Sequence, residues 1–358
     1  MSEAIESIVG EAKRLLYAYP ERTQKEKIKY QIKRILRPNA TPKMNSFSWP
    51  QAMLTMGLLE SGERECVEAF YQKYIEKGCP IENMDSSMHG MVLLALFETC
   101  SNQEKKAQYR NAVDKMYRYL LGQYEKYNDT IPYREHHSTY ILVDGIGMVV
   151  PFLAKYGRVF QVNKSIEMAT KLLNDYWECG MDALTGLPYH GYDSKTKMKY
   201  GIIGWGRAVG WLLWGVADSL EYLPEDIQNI WQDRAYQLLE NSITYQRADG
   251  GFSWQIQAME GHLDSSATAM IGIGMSRLLN RSISEIVSSM NTEIEQQDDG
   301  KIQESFEELM LALENCVKNG KVMDASAECI DFAQYPQNYN SYPWSVGSYL
   351  RVLASIGK

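Results

Sequence analysis

One residue type suited to proton chemistry stands at the head of a nearly unbroken apolar run. In YILVDGIGMVVPFLAKYG, Tyr140 to Gly157, a single acid, Asp144, precedes small and apolar residues at helical spacing. A carboxylate so placed can accept hydrogen bonds from the free N–H groups of a helix's first turn. It can equally be a working acid or base whose apolar surroundings shift its proton affinity. A single such residue leaves both readings open. The layout, however, recurs, starting at Trp49 (WPQAMLTMGLLE), Asp85 (DSSMHGMVLLALFE), Trp205 (WGRAVGWLLWGVADSLEYLP), Asp264 (DSSATAMIGIGMSRLL) and Trp344 (WSVGSYLRVLASIGK).

Through the middle of the chain these six starts are roughly 60 residues apart, a spacing that suits helical hairpins. Each is rich in Gly, Ala and Ser, which lets helices approach closely, and carries too little charge to face water. They read as inner helices. Between them lie segments with a polar face: Met1 to Pro20, Arg64 to Lys77, Gln103 to Tyr127, Asn163 to Glu178, Glu225 to Tyr245 and Ser305 to Lys318. A further basic helix is expected over Lys25 to Leu36, broken at Arg37-Pro38. Strand pattern is nearly absent, its best candidate a short ribbon in Pro188 to Ile203. The expected fold is all-α, six helical hairpins closed into an (α/α)6 toroid.

No linker interrupts the repeat, so residues 1–358 read as one domain with an exposed acidic insertion around 284–300. The N-terminus lacks a basic stretch followed by an apolar one, and no run approaches the roughly 18 residues of a membrane span. A cytoplasmic protein is expected. The six cysteines form no C-x-x-C pair, which argues against a zinc site. The formal charge of −8 disfavours nucleic acid and anionic membranes as partners.

In such a ring the inner helices run parallel, so their first residues converge on one face. The loops entering that face carry Tyr133, Arg134, His136 and His137, then TGLPYHGYD at Thr185 to Asp193. Function is usually carried by loops of this kind. The adjacent histidines read as a solvated loop, since no third metal ligand is evident.

Together, VDGIGMVVPFLAKYG, TGLPYHGYD, the W-x-R-x-x-G-W of Trp205 to Trp211 and QRADGGFSWQI leading to DSSATAMI carry a resemblance in the right order from about Trp49 onward. The chain resembles the unsaturated uronyl hydrolases, the unsaturated rhamnogalacturonyl and glucuronyl hydrolases of glycoside hydrolase families 105 and 88. The resemblance implies removal of a 4,5-unsaturated uronic acid from the non-reducing end of lyase-generated oligosaccharides. An aspartate protonates C4 of the alkene, water adds at C5 with help from the same carboxylate, and the hemiketal opens to release the neighbouring sugar. This differs from two-carboxylate displacement at the anomeric carbon.

By position, the resemblance makes Asp144 the catalytic acid and base and Asp85 the second carboxylate, whose like charge would raise the acid's pKa. It gives His190 and Asp193 contacts to the sugar ring and Arg207 the uronate carboxylate, through its planar fork. Trp205 and Trp211 would stack on sugar faces, although Trp211 suits the core as well. Asp264 reads as a helix cap. No metal or organic cofactor is implied, and either a monomer or a homodimer is compatible with the sequence. The chain departs from the family at Leu142, where Trp is common, and at Val209, where Asn is usual. Two alternatives stay open. A sugar epimerase on the same ring would want two basic groups, often histidines; a glycan-binding relative would have kept the ring and lost the chemistry.

Overall fold

The computed structural model describes residues 3–18, 47–289, 296–330 and 334–356, with isolated positions 25, 28, 29 and 32. The basic helix expected over Lys25 to Leu36 lies almost wholly outside the described residues. Twelve α-helices stand among them: α1 (Glu3–Leu16), α2 (Trp49–Glu60), α3 (Arg64–Ile75), α4 (His89–Thr99), α5 (Gln103–Lys126), α6 (Val143–Phe160), α7 (Asn163–Gly180), α8 (Gly206–Ala217), α9 (Glu225–Ile243), α10 (Ser265–Ser289), α11 (Gln296–Asn315) and α12 (Pro343–Ile356).

Burial sorts them as the sequence pattern requires. The inner helix α2 is buried continuously from Trp49 to Leu58, and α6 from Ile146 to Gly157. A helix apolar on all sides must be wrapped by neighbours. The outer helix α7 instead buries one stripe, Met168, Ala169, Leu172, Leu173 and Tyr176. Each even-numbered helix packs on the next, and α12 returns to α2, so six inner helices close a ring with the others outside it. This is the (α/α)6 toroid. At the α2–α12 seam the backbones touch through two glycines: a Cβ on Gly57 would stand 2.5 Å from the Gly347 carbonyl oxygen.

Short strands sit at the mouth where the inner helices begin. β1 (Tyr140–Leu142), β2 (Gly191–Asp193) and β3 (Lys199–Tyr200) form an antiparallel sheet, with β2 in the middle. The ribbon expected within Pro188 to Ile203 supplies β2 and β3; β1 joins from the residues just before Asp144. Two more ribbons lie between α11 and α12: β4 (Val317–Lys318) with β5 (Lys321–Val322), and β6 (Ala325–Ser326) with β7 (Tyr339–Asn340).

The acidic stretch around 284–300, expected as an exposed insertion, is flanked by helices on both sides. Helix α10 runs to Ser289 and α11 starts at Gln296, while residues 290–295 lie outside the described residues. Among the described residues no helix is long and apolar enough to cross a membrane, and all six cysteines are free thiols.

Candidate active site

Strand register brings the first two site residues together. Leu142 of β1 lies opposite Gly191 of β2, and the Val143 N–H donates to the His190 carbonyl at 2.9 Å. His190 Nε2 therefore stands 3.2 Å from Asp144 Oδ2. Gly191 is needed for this approach, because a Cβ there would lie 2.4 Å from the Ile141 carbonyl oxygen. Leu142, in place of the family's tryptophan, is buried and packs its Cδ2 against Gly191. Asp144 occupies the first turn of α6, yet its Oδ2 is buried with no aligned hydrogen-bond partner, so this oxygen does not cap the helix.

Asp85 enters from a single 3₁₀ turn, Met84–Met88, ahead of α4. Arg134 Nη2 donates to its Oδ2 at 3.1 Å. Gly145 packs so tightly on Met84 that a Cβ would come within 2.8 Å of the Met84 Cε, so the elements that carry Asp144 and Asp85 adjoin. Both carboxylates act on the same groups. The half-buried Tyr133 phenol is pushed up first by the protein packed around it, with Arg134 opposing and Asp85 and Asp144 adding. The Arg134 guanidinium lies 4.0 Å above the Tyr133 ring. The adjacent histidines of this loop read as solvated from the sequence; in the structure Arg134 pairs with Asp85 and His137 stacks on Tyr140.

The remaining expected residues are buried and engaged. Arg207 was expected to present its fork to a uronate, but it is 3% exposed. Its Nη1 donates to the Ser326 carbonyl at 3.0 Å and its Nη2 to the Ala327 carbonyl at 2.8 Å, with Asp264 Oδ2 at 3.5 Å. It holds β6 in place. Asp264 accepts from the Ser266 and Ala267 N–H groups, capping α10 as expected. Trp205 is also buried, its ring 4.5 Å from that of His190, so it forms a bed for the imidazole and offers no open face in this structure. Trp211 sits in the ring core against Trp49 and Gly147, the alternative noted for it.

Asp193 was expected to touch the sugar, but both its oxygens are engaged. Oδ1 accepts from the Lys195 and Thr196 N–H groups and Oδ2 from the Thr139 hydroxyl at 2.6 Å. Burial pushes this carboxyl up, and these hydrogen bonds outweigh it, holding the pKa below the usual range. The residue locks the β2–β3 turn.

Three site residues come from the connection between α11 and α12. Tyr335 Oη lies 3.0 Å from His190 Nδ1, and Cys329 Sγ lies 3.9 Å from the same nitrogen. Burial pushes the Cys329 thiol up to about 12, with Asp144 adding to the shift. Glu328 is pushed up to about 7, first by the protein packed around it. Arg134 and Arg207 pull it down, and Asp85 and Asp144 raise it further. More than a third of this residue faces solvent, so water counters part of that burial. The available signal was length, since connections this long that carry no periodic pattern are usually functional.

A cavity of about 480 Å³ opens at the far end of the ring, lined by Glu60, Lys155, Asp218, Arg277 and Arg351. None of the expected site residues lines it, and its arginines are paired with its acids. The convergence of Asp144, Asp85, His190 and Arg134 places the candidate site at the opposite mouth. Among the described residues no three His, Cys, Asp or Glu side chains gather as a metal site would.

The fold is shared with solved structures. A possible member of the GH105 family from Salmonella enterica superposes with a TM-score of 0.76 at 14% identity, covering 98% of this chain and 93% of that one. The unsaturated glucuronyl hydrolase of Bacillus sp. GL1 gives 0.70 at 14% identity, covering 98% and 95%. In sequence, the unsaturated rhamnogalacturonyl hydrolase YesR of Bacillus subtilis is 23% identical over 188 residues. That match takes in 49% of this chain and spans about half of the curated relative, 54% of its length. Residues 23–357 match the sequence pattern of Glycosyl Hydrolase Family 88, and the chain belongs to that family.

Proposed function

We propose that this protein removes a 4,5-unsaturated uronic acid from the non-reducing end of an oligosaccharide by hydrating its C4=C5 bond. Asp144, protonated, delivers its proton to C4. As a carboxylate it then takes a proton from the water that bonds to C5, and the resulting hemiketal opens to expel the neighbouring sugar. Asp85 shares the mouth with it and is held by Arg134. Arg134, one-fifth of whose side chain is exposed, binds the uronate carboxylate, the role first expected of Arg207.

The observation that carries this reading is the meeting, at the mouth of the ring, of an aspartate held against His190 with an acid–arginine pair. Two basic histidines flanking a common point, as an epimerase would want, are not what Asp144, Arg134 and His190 supply. Six free thiols fit a reducing compartment, which supports a cytoplasmic location.

Hydration destroys the conjugation between alkene and carboxylate, so the ultraviolet absorbance of an unsaturated disaccharide falls as it reacts. Wild type is expected to abolish that signal, and Asp144→Asn to be slower by about 10²–10⁴-fold, the contribution of a positioned acid. Undiminished turnover by a folded Asp144→Asn variant would refute the assignment.

A further inference from the structure

We propose that Tyr335 is a positioning residue that fixes which oxygen of Asp144 carries the transferable proton. The inference rests on the reading of Asp144 as the acid. Tyr335 Oη already accepts the Ile202 N–H at 3.4 Å, and it lies 3.0 Å from His190 Nδ1. With the Ile202 N–H occupying one acceptor position of its oxygen, we assign the phenol as the donor to Nδ1. An imidazole whose Nδ1 accepts carries its proton on Nε2.

That Nε2–H faces Asp144 Oδ2 at 3.2 Å, and Oδ2 is sealed from solvent. A proton on Oδ2 would be crowded by the Nε2–H at this distance, so the acidic proton is assigned to Oδ1. When Oδ1 gives it up to the alkene carbon, the charge that appears on the carboxylate lies 3.2 Å from Nε2, near enough for its dipole to act although the pair is not aligned as a hydrogen bond. Packing keeps the relay in register. The Tyr335 ring lies 5.6 Å from Trp205 and 5.7 Å from Trp254, and Trp205 in turn supports His190. Cys329 Sγ, at 3.9 Å from Nδ1, is a weak donor and does not displace the phenol.

The test is Tyr335→Phe, which keeps the ring and deletes the hydroxyl, together with imidazole ¹⁵N spectra of histidine-labelled protein, the His190 signals being assigned with His190→Asn. Wild type is expected to show the neutral Nε2–H tautomer at His190, and Tyr335→Phe a mixture of both. On an unsaturated disaccharide, kcat is expected to fall about tenfold with KM within twofold, a part of what an acid–base group supplies. A wild-type spectrum showing Nδ1–H overturns the proposal and needs no variant to fold. So does a Tyr335→Phe protein with unchanged spectrum and kcat while Asp144→Asn is inactive. Full activity of Asp144→Asn would instead overturn the assignment of the acid itself.

Discussion

Replacing Arg351 by Met tests whether charge pairing braces the ring at its far end. Arg351, on α12, is 4% exposed. It donates to Glu60 Oε1 from Nε at 3.0 Å and Nη2 at 2.8 Å, and to Asp218 from Nη1 at 2.8 Å and Nη2 at 3.1 Å. Glu60 ends α2, the ring neighbour of α12, and Asp218 follows α8, which is not, so one guanidinium ties the α2–α12 seam to a helix across the ring. Removing one partner of a buried pair costs about 3–5 kcal/mol. Here Arg277 softens the loss, lying 3.0 Å from Glu60 and 3.8 Å from Asp218. Each acid keeps a cation, and the lower end, about 3 kcal/mol, is expected. With an unfolding entropy of roughly 2 cal/mol/K per residue, that loss lowers the Tm of this 358-residue chain by about 4 °C.

The deficit also has a pH signature. Burial pushes the Asp218 carboxyl up, but Arg351 and Arg277 outweigh it and hold its pKa below the ordinary value. A carboxylate depressed in the folded state adds stability above its unfolded pKa, about 3.9, and loses it as pH falls through the folded value. Without Arg351 the depression shrinks. The gap in urea midpoint between wild type and variant is therefore widest near pH 7 and narrows in acid, while kcat, set at the other mouth, stays unchanged. A midpoint equal to wild type at neutral pH, or a gap that widens in acid, would refute this reasoning.

Arg134→Ala removes the guanidinium at the mouth; a charged hydrogen bond is worth about 2 kcal/mol, so KM for an unsaturated disaccharide should rise roughly thirtyfold in steady-state assays. Gly191→Ala forces a Cβ onto the Ile141 carbonyl and should cost about 1–3 kcal/mol in urea denaturation, with a drop in kcat as His190 leaves Asp144. Glu328 is neutral below about 7 and charged above it. Its ionisation repels an anionic substrate, so wild-type KM should climb above neutral pH and the Glu328→Gln profile should stay flat.

The ring was legible because inner and outer helices differ in burial all along their length, and that difference is written locally as Gly, Ala and aliphatic runs. The pairing of Asp144 with His190 was half legible. Both stood on recognisable motifs, but the strand register that joins them required Tyr140 to Leu142 to leave the helical pattern. The engagement of Arg207 was not legible for a non-local reason: its carbonyl partners, Ser326 and Ala327, are 119 and 120 residues away and belong to a ribbon with no periodic signal. Tyr335 and Glu328 lie in the same connection. Arg134 was hidden by its neighbours, since a loop holding two histidines reads as solvated until Asp85 is found beside it.

The glycine seam between α2 and α12 bears on how the protein is made. Arg351 and Glu60, which meet there, are 291 residues apart. On the ribosome, α2 emerges early with apolar residues on every side, and the partner that covers one flank is synthesised only after the other inner helices. Contacts of such long range form slowly, and a surface left bare in the meantime is prone to aggregation. The nascent chain is therefore expected to depend on chaperones that shield α2 until α12 arrives.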